Sequence, residues 1–170
     1  MGSFFLGGIS VSTLKNIWNR WHRALTHDRR QEILDLLCRE YVEKSKDAIQ
    51  FRHHAERMRY RQFREMLLRI AEEEENHAES IKKRIIALGG EVPRVLFNPE
   101  ERWNSWEELR LDLEDERRRI NDIEDQLVIV EQLDRGTADL LRRIFEDEKK
   151  HREAITAMLI RSDPQASLAT

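Results

Sequence analysis

Apolar residues recur three and four positions apart along four long stretches of this chain, which restricts it to a bundle of amphipathic helices. The first stretch, about 29–58, carries Ile33, Leu37, Tyr41, Ala48, Phe51, Ala55 and Met58. A break near Arg59 opens the second, with Phe63, Leu67, Ile70, Ile81 and Ile85, and Gly89-Gly90 is its C-terminal stop. Ser105 with Glu108 reads as a capping box for the third, which holds Leu109, Leu113, Ile120, Ile123, Leu127 and Val130. Gly136 is expected to break it, and Leu141, Ile144, Ile155 and Met158 define a fourth helix from about Thr137 to Arg161. With 39% hydrophobic and 37% charged residues but only 6 Gly and 3 Pro, the chain has too few turn residues for a sheet protein.

The connections decide how such helices are arranged. The first and third joins are short and make two antiparallel hairpins. The middle join, 91–104, contains Pro93 and Pro99 and spans roughly 45 Å when extended. A helix of about 28 residues is roughly 42 Å long, so this join runs the length of the bundle and leaves the second and third helices parallel.

Several function classes drop out at once. A net charge of -3 does not mark a nucleic-acid binder. The lone Cys38 excludes an internal disulfide and a four-cysteine iron centre on this chain. No apolar run reaches the 18 or so residues of a membrane span, and the apolar start lacks the basic leader of a signal peptide. A cytoplasmic protein is the expectation.

Two Glu-x-x-His pairs interrupt the stripes: Glu74 with His77, and Glu148 with His151. Three residues apart on a helix means one face, so carboxylate and imidazole can close on one ion. With 33 acidic residues in 170, six histidines give about one such pair by chance, so spacing alone decides little. Position decides more. Each pair continues an apolar stripe, where an unpaired charge would be neutralised or would destabilise the fold. The hairpins also repeat, with Ile70-Ala71-Glu72-Glu73-Glu74 answering Ile144-Phe145-Glu146-Asp147-Glu148, and Glu40 and Glu114 each lying 34 residues before the glutamate of a pair. Carboxylates with two imidazoles suit iron or manganese.

Ile144-Phe145-Glu146-Asp147-Glu148-Lys149-Lys150-His151 resembles the fourth-helix motif of bacterioferritins, and Tyr60-Arg61-Gln62-Phe63 through His77 resembles the second helix of rubrerythrins. Leu113-Glu114-Asp115-Glu116 is similar to the bacterioferritin third-helix signature. The resemblance covers about residues 30–160. It implies an all-α, ferritin-like four-helix bundle with one long crossover, and a di-iron site that oxidises Fe(II) with oxygen or peroxide for storage or detoxification. Glu74 and Glu148 would act as bridging, catalytic carboxylates, with His77 and His151 as terminal ligands.

The remaining ligands are less determined. On helix one Glu40 fits the repeat and Glu43 is the alternate, while the stripe itself carries Tyr41 and Lys44, which counts against a standard carboxylate there. On helix three Glu116 sits on the stripe, and Glu114 fits the repeat and the family motif. Two family features are missing. The residue after Glu74 is Glu75, where bacterioferritins carry a haem-binding methionine. Arg117 or Arg119 stands where rubrerythrins carry a further carboxylate. His53 and His54 read as partly exposed helix-end residues rather than a second metal site, and His22 and His27 belong to the basic leader.

Residues 1–28 form a separate basic, amphipathic segment with Trp18 and Trp21 on one face, and Asp28 with Gln31 reads as the capping box of the next helix. The segment docks on the bundle, lies on an anionic membrane surface through residues 1–25, or targets the chain to an encapsulin shell, since Ile9-Ser10-Val11-Ser12-Thr13-Leu14-Lys15 resembles encapsulin docking peptides. The bundle is expected over 29–161 and a frayed tail over 162–170. The expected partners are iron, oxygen or peroxide, and further copies of this chain, with no nucleic acid. Two other functions compete: a non-catalytic helical adaptor whose polar core fixes register, and a di-iron oxygenase or peroxidase acting on another substrate.

Overall fold

A computed structural model describes residues 11–100 and 104–162, with side chains from residue 29 onward. Four helices account for the regular structure: α1 Val11–Arg57, α2 Arg61–Ala87, α3 Ser105–Leu133 and α4 Arg135–Arg161. The chain divides into Met1–Glu32 and Ile33–Thr170, and the four-helix body is the second of these. The readings for residues 1–10, and for the tryptophan face, His22 and His27, lie outside the described residues and side chains. Among the described residues no helix is long and apolar enough to cross a membrane.

Cross-helix pairs give the helix directions. Gln126 meets Glu40, Arg119 meets Asp47, Asp112 meets His54 and Glu108 meets Arg57, so α3 descends as α1 ascends. Arg84 meets Thr137, His77 meets Asp147 and Glu73 meets His151, so α2 and α4 are antiparallel. The connection after α2 follows α1. Near its start the Cys38 thiol donates to the Glu91 carbonyl, and near its end the Gln50 amide exchanges two hydrogen bonds with the Glu100 backbone. Cys38 and Gln50 are about 18 Å apart along a helix axis, so the join climbs the bundle as its length implied.

The apolar stripes bury into two clusters. Ile33, Leu37, Ile81, Ile85, Ile123, Leu141 and Ile144 fill one. Phe51, Met58, Phe63, Leu67, Leu109, Leu113, Ile155 and Met158 fill the other. Each helix contributes to both, so the residues that separate the two sets along each helix form a middle layer, and that layer is polar.

Helix ends follow local chemistry, with three departures from the sequence reading. Gly89 takes φ 69°, and Gly90 and Gly89 donate to the carbonyls of Ile85 and Ile86, closing α2 as expected. The cap of α3 is Asn104, not Ser105: its side chain accepts from the amides of Trp106 and Glu107, while Glu108 is drawn inward to Arg57. The break between α3 and α4 falls at Asp134, whose carboxylate accepts from the Thr137 amide. Gly136 lies inside α4, where a Cβ would come within 2.9 Å of the Arg84 guanidinium, so the glycine admits that side chain rather than breaking the helix. Finally, α1 passes through Asp28 and Gln31 without interruption, because no residue there breaks the helix.

Candidate metal centre

The polar middle layer is built from all four helices. Glu74 of α2, Glu116 of α3, and Glu148 and His151 of α4 each offer one ligand atom, and these four atoms lie within 4.8 Å of one another. All four side chains are buried, Glu74 and Glu148 completely. His77 stands at the edge of this group, with Nδ1 3.7 Å from Glu74 Oε2 and 3.8 Å from Glu148 Oε1.

Both imidazoles are held from outside. His77 Nε2 lies 3.2 Å from Asp147 of α4, and His151 Nε2 lies 2.7 Å from Glu73 of α2. Each acidic residue immediately precedes the glutamate of one pair and grips the histidine of the other. A carboxylate on Nε2 fixes the ring orientation, and in the neutral imidazole it fixes the tautomer that leaves Nδ1 as the inward lone pair. The sequence reading did not use Glu73 and Asp147, although the repeated acidic doublet before each pair was the signal.

Helix α1 presents a cation at this level. Lys44, with no exposed surface, places Nζ 2.5 Å from Glu148 Oε1, 3.1 Å from Glu74 Oε2 and 3.7 Å from Asp47. The helix-one candidates stand apart from the four-residue group. Glu40 is buried and accepts from the Gln126 amide at 2.8 Å. Glu43 takes Arg119 at 2.7 Å and Lys46 at 2.8 Å. Arg119 also forks onto both oxygens of Asp47, at 2.7 and 2.6 Å. On α3 the stripe decides between the two candidates: Glu116 faces inward, while exposed Glu114 pairs with Arg110 at 2.6 Å.

Burial would push the Lys44 ammonium down, but Glu148, Glu74 and Asp47 outweigh it and hold Lys44 well above its ordinary value. Burial would raise Glu74, yet Lys44, His151 and His77 hold it well below the usual carboxylate range. For Glu116, burial and then the charges of Glu148 and Glu74 outweigh the pull of Lys44 and raise it well above that range. For His151, burial opposes protonation, but Glu74 and Glu148 carry it up to about 9.

Hydrogen bonds do not satisfy this layer. Glu74 is held at Oε2 by Lys44 Nζ and at Oε1 by His151 Nδ1, each at 3.1 Å, while Oε2 of Glu116, Oε2 of Glu148 and Nδ1 of His77 are buried without a hydrogen-bond partner. Each such atom costs about 1–3 kcal/mol. Ligand atoms, one each from Glu74, Glu116, Glu148 and His151 and all within 4.8 Å of one another, form a donor set that fits a hard divalent cation.

A second buried polar group lies nearer the far end of α1. His54 Nδ1 sits 2.8 Å from Asp112 and its Nε2 touches Gln50, while Arg57 donates to Glu108 at 3.0 Å. His54 is therefore buried, against the sequence reading of a partly exposed helix-end residue, because α3 supplies Asp112 opposite it.

A family model described as a ferritin-like domain matches residues 40–162. No curated relative matches the chain. Among solved structures it is similar to the bacterioferritin of Desulfovibrio desulfuricans, described as having its diiron site in different catalytic states. That match has a TM-score of 0.73 and 23% identity, over 79% of this chain and 81% of that one.

Proposed function

This chain belongs to the ferritin-like family, and from that premise we propose that it binds iron in the middle layer and oxidises Fe(II) with oxygen or peroxide. The carrying observation is the buried cluster of Glu74, Glu116, Glu148 and His151, whose ligand atoms lie within 4.8 Å of one another and in which Glu116 and Glu148 each keep a carboxylate oxygen without a hydrogen-bond partner, with His77 at its edge. Iron, the substrate here, supplies the electrons.

The protein's part follows from its own groups. Glu73 and Asp147 hold the two imidazoles with Nδ1 inward. Protons held by Glu116 and His151 leave when a cation takes their place, so loading releases acid. The apolar clusters above and below keep bulk water from the layer, which strengthens every charge interaction inside it. Two polar edges remain as approaches: the partly exposed His77, and the Asp47–Glu43–Arg119 face of α1 and α3.

Anaerobic loading with Fe(II), followed by oxygen or peroxide, tests the reading. The rise of ferric absorbance should appear with the native chain and fall to the protein-free rate in the Glu74→Ala, Glu148→Ala double variant. A native rate equal to the protein-free rate would overturn the proposal. One observation favours a second reading, in which the layer is a structural polar core and the protein a non-catalytic helical module: Lys44 already neutralises part of the carboxylate charge. On that reading the chain purified from iron-fed cells carries no metal.

A further inference from the structure

We infer that Lys44 occupies the place of a second cation, so that the middle layer takes one metal ion per chain and not a pair. The inference rests on the proposal that this layer binds metal, and departs from the di-iron arrangement that the sequence resemblance implied.

A two-metal site in such a bundle draws a Glu-x-x-His pair from each of two helices and one inward carboxylate from each of the other two. Here α2 and α4 supply the pairs and α3 supplies Glu116, but α1 supplies an ammonium. The oxygens it takes locate it. Lys44 Nζ contacts Glu74 Oε2 and Glu148 Oε1. Those same two oxygens face His77 Nδ1, at 3.7 and 3.8 Å. An ion using His77 as its terminal ligand would draw on those same two oxygens, which Nζ already holds.

The other half of the layer is free of it. Glu148 Oε2 and Glu116 Oε2 have no hydrogen-bond partner, and His151 Nδ1 lies 3.1 Å from Glu74 Oε1, within one cluster of ligand atoms. These atoms surround one ion position. Charge gives the same count. Glu74, Glu116 and Glu148 bring three negative charges, which a divalent ion and one ammonium match. A pair of divalent ions beside that ammonium would leave a surplus in a medium that screens poorly. The other acids near Lys44 are committed elsewhere, Asp47 to the Arg119 fork and Glu40 to Gln126.

The experiment counts ions. The full-length chain is loaded anaerobically with manganous ion, freed of excess, and examined by metal analysis and electron paramagnetic resonance. About one ion per chain, with the spectrum of an isolated ion, is expected. About two, with the exchange-coupled spectrum of a pair, would overturn the inference and leave metal binding standing. No bound manganese, together with no bound iron in a parallel ferrous loading, would overturn both. Lys44→Glu supplies the missing carboxylate and should raise the count to about two with a coupled spectrum. A folded variant that still holds one ion would overturn the role given to Lys44. Should that variant fail to fold, the native count and spectrum decide alone.

Discussion

At the scale of single residues, the two carboxylates behind the histidines are the most consequential feature that the motif spacing does not state. Glu73 and Asp147 are joined to His151 and His77 by hydrogen bonds across the bundle, so each pair of helices orients the imidazole of its neighbour. Outer partners of this kind are worth about 10–100-fold in metal affinity. Glu73→Gln and Asp147→Asn should each weaken iron binding by roughly that factor in equilibrium titrations, with the folded state intact by circular dichroism. Asp112 offers a pH test. Burial raises its carboxyl to about 6, against the pull of His54, so the folded chain holds a proton that the unfolded chain has lost. Stability contributed there is present at about pH 4 and declines as pH rises toward about 6, by roughly 3 kcal/mol. In urea titrations across that window, Asp112→Asn should lack this decline, so its stability relative to the native chain should improve with rising pH. A constant difference between the two proteins would contradict the assignment.

Helix ends and stripes make up the next scale. Gly89 is the described residue whose backbone lies in the left-handed region, and it closes α2 where the long connection must leave. A side chain there costs about 1–2 kcal/mol, so Gly89→Ala should lower the urea midpoint accordingly with the slope unchanged. The helical stripes were legible because burial follows a period of 3.6 residues, and Ile33, Leu67, Leu109 and Leu141 all lie in the core. The same rule separated inward Glu116 from exposed Glu114. Cap identities were less legible. Asn104 displaces Ser105, since neighbouring polar residues compete for one cap and the local sequence does not rank them, and Asp134 rather than Gly136 marks the break before α4 because Gly136 makes room for Arg84.

For the whole molecule, the polar layer between two apolar clusters makes stability depend on what occupies it. A ligand that binds only the folded chain adds about 2.7 kcal/mol when it is a hundredfold above its dissociation constant. In a domain of this size that raises the midpoint of thermal unfolding by roughly 5–10 °C. Scanning calorimetry with and without manganous ion should show this shift in the native chain and not in the Glu74→Ala, Glu148→Ala variant. An unshifted native midpoint would contradict metal binding in the layer.

Periodicity, the length of 91–104 and the two Glu-x-x-His spacings were enough to specify an all-helical bundle with a long crossover, because burial, chain reach and helical register are local or nearly local properties. Which charges meet was decided by the tertiary structure alone. Whether Lys44 turns into the layer while Glu40 is taken by Gln126, and whether His54 finds Asp112, depends on the rotation of each helix about its axis and its height against its neighbours. A fraction of a turn exchanges one partner for another, and no spacing within a single helix records it.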